Sequence, residues 1–200
     1  MASATLFALF LLSALTLYPP STTAQPVTDA NGNIVKNGGR FFILPLFFGA
    51  GGGGIRRART GYETSPLSVV QSPLETDDGQ PWIITSIFKS GFIPEGSRVS
   101  ISYEYVELGD SVESNEWSAV AGLPEGTLVK VGYPNTINGS FSIHRASSAN
   151  SYKFLFCSAS SSVCGNVGIV LDKAGNRLLA IKQETSFEFV LVELPSAVSK

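Results

Sequence analysis

A chain of 200 residues, 44% hydrophobic and 15% charged, holds enough apolar material for a packed core and is too apolar for a disordered polypeptide. Its formal net charge of −2 offers no basic field for nucleic acid or for an anionic membrane surface. One histidine and two cysteines are too few to build a zinc site, so no metal centre is expected.

The apolar run LFALFLLSALTL, Leu6 to Leu17, has the length of a secretory h-region and is too short to span a bilayer. YPPSTTAQP follows it, and Thr22 and Ala24 supply the small residues of a cleavage site. Residues 1–24 are therefore expected to be a signal peptide, although MASAT ahead of the run brings no Lys or Arg. Residues 25–200 are expected to form one domain, soluble and secreted or vacuolar, because no second apolar run approaches membrane length.

From there the pattern is β. FFILPLFF, LSVVQS, PWIITS, RVSISYEY, WSAV, TLVKV, SFSIH, SYKFLFC, VGIVL, NRLLAIK and FEFVLVEL read in turn as strands. In RVSISYEY the alternation puts Val99, Ile101, Tyr103 and Tyr105 on one face and Arg98, Ser100, Ser102 and Glu104 on the other. Tyr152, Phe154 and Phe156 alternate in the same way. ANGN, NGG, DDGQ, PEG, PNTING and KAGN punctuate the strands as turns, and no long segment has helical periodicity. Gly51 to Gly54, followed by Arg56, Arg57 and Arg59, lack the Gly-Lys-Ser/Thr ending of a phosphate loop and are expected to be a flexible loop. About eleven or twelve short strands in one domain suggest a closed all-β architecture. A β-trefoil of four strands per third fits, and a sandwich fits nearly as well on counting alone.

Few residues carry chemistry. Cys157 and Cys164 are close enough in sequence to staple a hairpin loop, and a secretory route permits the disulfide. Asn138 opens an Asn-Gly-Ser sequon in a turn, a possible glycosylation site. His144, the only histidine, alternates away from Phe141 and Ile143 and is expected to be exposed. No Gly-x-Ser-x-Gly elbow is present, and none of the sixteen acidic residues stands out as a glycosidase pair. TSIFKSGFIPEG, Thr85 to Gly96, looks like a loop with one lysine, Lys89, which by itself reads as a solvated charge.

VTDANGNIVKNGGRFFIL, Val27 to Leu44, resembles the N-terminal signature of the plant Kunitz-type inhibitors, the soybean trypsin inhibitor family, with Phe41 and Phe42 where Tyr is usual. GGIRRARTG, SPLSVVQS, FIPEG, EWSAVAGLPEGTLVKVG, YKFLFC and CGNVGIVLD continue the resemblance in family order, over Gln25 to Leu194. It implies an all-β β-trefoil of about twelve strands in three pseudo-repeats. It also implies a monomer without cofactor or enzymatic activity that inhibits trypsin-like serine proteases. Aligned on the family's reactive loop, Lys89 stands at the primary specificity position and Ser90 just after the scissile bond. Ile87, Phe88 and Gly91 flank them, and Asn37 matches the asparagine that braces the loop from within. A long cation suits the carboxylate at the base of a trypsin-like pocket, and a loop held in its bound shape escapes most of the ordering cost.

The chain departs from the family in two places. The first of two usual disulfides is absent: Ser65 stands at one of its positions, and the other falls near Asp110. Ile87 replaces a frequent proline and Gly91 follows Ser90, which loosens the loop. The alternative reading is a storage, defence or carbohydrate-binding protein with weak or no inhibition, and a glycosidase ranks behind both.

Overall fold

Period-two alternation decides which side chains meet inside. The computed structural model describes residues 24–47, 51–104, 114–161 and 163–194, and all twelve of its regular elements are strands. The expected signal segment, apart from Ala24, lies outside the described residues, as does Asp110. Six strands close a ring: β1 (Gly39–Pro45), β4 (Trp82–Ser86), β5 (Arg98–Ser102), β8 (Gly139–Arg145), β9 (Tyr152–Ser158) and β12 (Phe189–Glu193). Each pairs antiparallel with the next, and β12 returns both to β1 and, through Phe189 and Tyr152, to β9.

The other six form three hairpins: β2 (Ile55–Ala58) with β3 (Ser68–Gln71), β6 (Trp117–Leu123) with β7 (Gly126–Val131), and β10 (Cys164–Leu171) with β11 (Arg177–Lys182). Strands β3, β7 and β11 pair with one another and draw the hairpins into a triangular cap. A six-stranded barrel capped by three hairpins, four strands per third, is a β-trefoil, and the sandwich alternative falls.

Every barrel strand sends alternate apolar residues inward. They are Phe41 and Ile43, Trp82 and Ile84, Val99 and Ile101, Phe141 and Ile143, Tyr152, Phe154 and Phe156, and Phe189 and Leu191, all buried. Trp117 of the cap packs edge-on against Trp82, Phe141 and Phe154 at 5.2, 5.9 and 5.6 Å between ring centres. Trp82 Nε1 donates to Ile55 O at 3.0 Å, so the indole is buried without stranding its donor. Closure removes exposed sheet edges, and the packed rings leave the loops at the barrel ends free to vary.

Two expectations need correction. The glycine-arginine stretch is not a flexible loop. Gly52, Gly53 and Gly54 are buried, Gly53 N–H donates to Ser72 O and Gly54 N–H to Asp77 O, both at 2.8 Å, and Ile55–Ala58 is strand β2. A Cβ on Gly54 would lie 1.9 Å from Asp78 O, so the glycines permit a close approach of two backbones. Arg56 pairs with Asp77 at 3.7 Å and Arg57 stacks 3.5 Å over the Tyr103 ring, which spends both charges locally. His144 is half-buried, not exposed, because Gly96 N–H bonds Ile143 O at 2.7 Å and brings the chain over that end of β8.

Candidate functional site

The segment joining β4 to β5, residues 87–97, leaves the barrel and returns to it, and its tip stands in solvent. Ile87 is 62% and Phe88 55% exposed, Lys89 and Gly91 are exposed, and Ser90 is half-buried. Apolar side chains left in water at a loop tip are poor for a free molecule and good for a surface that is to be covered. Among the described residues no carboxylate pairs with Lys89, so its ammonium is available.

Asn37, in the turn before β1, holds this tip. Its Nδ2 donates to Phe88 O and to Ser90 O, both at 3.0 Å, and its Oδ1 accepts from Ser86 N–H at 2.8 Å. Both amide protons and the amide oxygen are thereby engaged across the residues that bracket Lys89. Its own backbone N–H reaches Gly91 O at 3.2 Å. The turn is placed by Gly38, whose φ of 78° belongs to the left-handed region and whose N–H donates to Ile84 O at 2.9 Å. Asn37 itself is half-buried rather than enclosed, since it works at the rim of the barrel.

Further anchors carry no signal in the sequence. The Ser86 hydroxyl is buried, donates to Ser97 Oγ at 3.4 Å and accepts from Phe88 N–H at 3.2 Å. Ile87 N–H donates to Arg98 O at 3.3 Å, and the Ser90 hydroxyl donates to Phe92 O. The exit of the loop is clasped by the N-terminal segment. Val27 N–H donates to Ile93 O at 2.9 Å, Ile93 N–H to Val35 O at 3.1 Å and Glu95 N–H to Gln25 O at 2.7 Å. Val27, Val35 and Ile93 are buried together, which ties this clasp to the core.

The remaining sequence candidates lie apart from the loop or beside it. Cys157 and Cys164 face each other across β9 and β10 and are joined, with a sulfur–sulfur distance of 1.96 Å. Ser65 is half-buried in the turn before β3. Asn138 is exposed just before β8, and shares a cleft with Ile87. Among the described residues no group of His, Cys, Asp and Glu is arranged to hold a metal ion.

Comparison with known proteins shows the family and the fold. Residues 27–192 match the model of the legume Kunitz family, described as trypsin and protease inhibitor. Trypsin inhibitor A of Glycine max is 40% identical over 189 residues, covering 90% of this chain and 86% of its own. Trypsin inhibitor DE-3 of Erythrina caffra is 37% identical over 166 residues, covering 82% of this chain and 95% of its own. Soybean trypsin inhibitor, in its complex with porcine pancreatic trypsin, superposes with a TM-score of 0.77 at 36% identity, over 86% of this chain and 100% of that one. The match spans the barrel, the cap and the braced loop alike, and the chain belongs to the legume Kunitz family of trypsin and protease inhibitors.

Proposed function

We propose that this protein, made as a secretory precursor and released as residues 25–200 into the apoplast or vacuole, acts as a monomer that inhibits trypsin-like serine proteases. It presents Phe88, Lys89 and Ser90 in the manner of a substrate. The observation that carries this reading is the Asn37 side chain, which bonds Phe88 O, Ser90 O and Ser86 N–H around an exposed Lys89 that pairs with no carboxylate among the described residues. The Lys89 ammonium reaches the carboxylate at the base of the protease pocket, a buried charge that is tolerable only against its partner. Ile87, Phe88 and Gly91 cover the rim. Attack on the Lys89 carbonyl is permitted, but Asn37 holds the residues on both sides of the Lys89–Ser90 bond, so the cleaved ends stay in register and release is slow.

The test is an inhibition constant for wild type, Lys89→Ala and Lys89→Leu against trypsin and chymotrypsin, with circular dichroism as a fold control. Wild type should inhibit trypsin stoichiometrically. Lys89→Ala should lose several kcal/mol of binding, as truncation of a central anchor does, and Lys89→Leu should turn toward the apolar pocket of chymotrypsin. Equal inhibition of trypsin by wild type and Lys89→Ala moves the site elsewhere. A wild type that inhibits neither enzyme at micromolar concentration leaves the storage or carbohydrate-binding reading in its place.

A further inference from the structure

Asn138-Gly139-Ser140 is the only N-glycosylation sequon in the chain, and it stands beside the loop that carries Lys89. Asn138 is exposed, while its backbone is fixed: Ala159 N–H donates to Asn138 O at 2.8 Å and Ile137 N–H to Ala119 O at 2.7 Å. The pairing of β5 with β8, Arg98 opposite Ser142 and Val99 opposite Phe141, brings the sequon strand to the foot of the loop. Asn138 and Ser140 line a cleft of about 420 Å³ whose other wall includes Ile87 and Arg98.

We propose that Asn138 carries an N-linked oligosaccharide that occupies this cleft and screens the Ile87 side of the loop, slowing its capture by proteases. The consequence rests on the inhibitory reading above, and the chemistry rests on the secretory route. The donor is a lipid-linked oligosaccharide diphosphate. Asn138 Nδ2 forms a bond to the anomeric carbon, the bond from that carbon to the diphosphate oxygen breaks, the lipid diphosphate leaves with the electron pair, and one amide proton is released. An exposed side chain accepts the sugar without disturbing the core, and the sugar is bulky and hydrated. A protease descending on Lys89 must also cover Ile87. An occupied cleft therefore hinders encounter more than it alters the contacts finally made.

The full chain, expressed in a plant secretory host, is compared with Asn138→Gln and with wild type stripped by a glycan-releasing amidase. The intact mass should exceed that of the bare chain, the excess should vanish on stripping, and it should map to the tryptic peptide 131–145. Association with trypsin should be about tenfold slower for the glycosylated form than for either bare form, within the one to three decades that association rates span among variants of one interface, with dissociation unchanged. A secreted product with the mass of the bare chain overturns the proposal, and so does a glycosylated product that associates as fast as Asn138→Gln. An Asn138→Gln protein that leaves trypsin untouched refutes the inhibitory reading and the screening role with it, while the mass still decides the modification.

Discussion

Two residues near the proposed scissile bond act in opposite directions on loop stiffness. Asn37 makes three side-chain hydrogen bonds, two to the loop and one to Ser86 at the end of β4, and Asn37→Ala removes them at a cost of about 1–3 kcal/mol in preorganisation. Trypsin should then cut Lys89–Ser90 faster, in a protein whose circular dichroism is unchanged. Gly91 is the converse case. A Cβ there meets nothing within 4 Å and no positive φ requires glycine, so Gly91→Ala should stiffen the free loop by about 0.4–1 kcal/mol and slow the same cleavage. Cleavage rates that move in the same direction for both variants would contradict this account. Ile87→Pro would instead lose the Ile87 N–H bond to Arg98 O. His144 offers a pH readout. Burial, then the Lys153 charge, holds its pKa below the ordinary 6.5, with Glu95 opposing. Its folded form stays neutral where the unfolded chain takes up a proton. The contribution of His144 to stability is thus whole above pH 6.5 and is lost as pH falls through the depressed folded value. Because it is the only histidine, one NMR titration measures that value, and His144→Gln should flatten the acid-side decline.

Turns and strand ends are fixed by polar pairs that the elements themselves bring together. The sequences DANGN at Asp29 and DKAGN at Asp172 fold alike. In each, the aspartate accepts from two backbone N–H groups and from the side chain of the closing asparagine, and the glycine has a φ of 84°. The turn before β3 is tied to β7 differently. Lys130 Nζ lies 2.5 Å from Glu63 Oε1 and 2.6 Å from Ser68 Oγ, with the two charged side chains only 5% and 10% exposed. Glu63 also accepts from Thr60 N–H at 3.0 Å. Lys130→Met strands the carboxylate and should cost about 3–5 kcal/mol in urea unfolding, whereas adding Glu63→Gln should recover much of it. A Lys130→Met protein as stable as wild type would show that the pair contributes nothing to holding β3 against β7.

At the scale of the molecule, closure of the barrel around its aromatic core should make the one disulfide dispensable for folding. Cys157 and Cys164 are seven positions apart and already paired across β9 and β10, so the disulfide closes a short loop worth about 2–3 kcal/mol by chain entropy. Reduction should lower the unfolding midpoint without unfolding the protein at 25 °C. Spontaneous unfolding on reduction would mean that the core is weaker than its burial implies. The barrel strands were legible because each must turn alternate side chains inward, and a period of two is written along the chain itself. The contact of Asn37 with the loop was expected from the resemblance alone, and the reactive-site role proposed for Lys89 and Ser90 rests on it too, since nothing local separates Lys89 from a solvated lysine. Strand β2 was not legible: the glycines before it look flexible in one dimension and are closely packed in three, because the backbones of Ser72, Asp77 and Asp78 lie against Gly52, Gly53 and Gly54. Nor were the half-burial of His144, the part played by Ser86 and the clasp of Val27 on Ile93, for each depends on which distant segment closure brings alongside. The sequence by itself determined a β architecture and the inward face of each barrel strand, because periodicity is a local property. Only the tertiary structure decided how the loop is braced, because Asn37 and Phe88 become neighbours only when β1 pairs with β4.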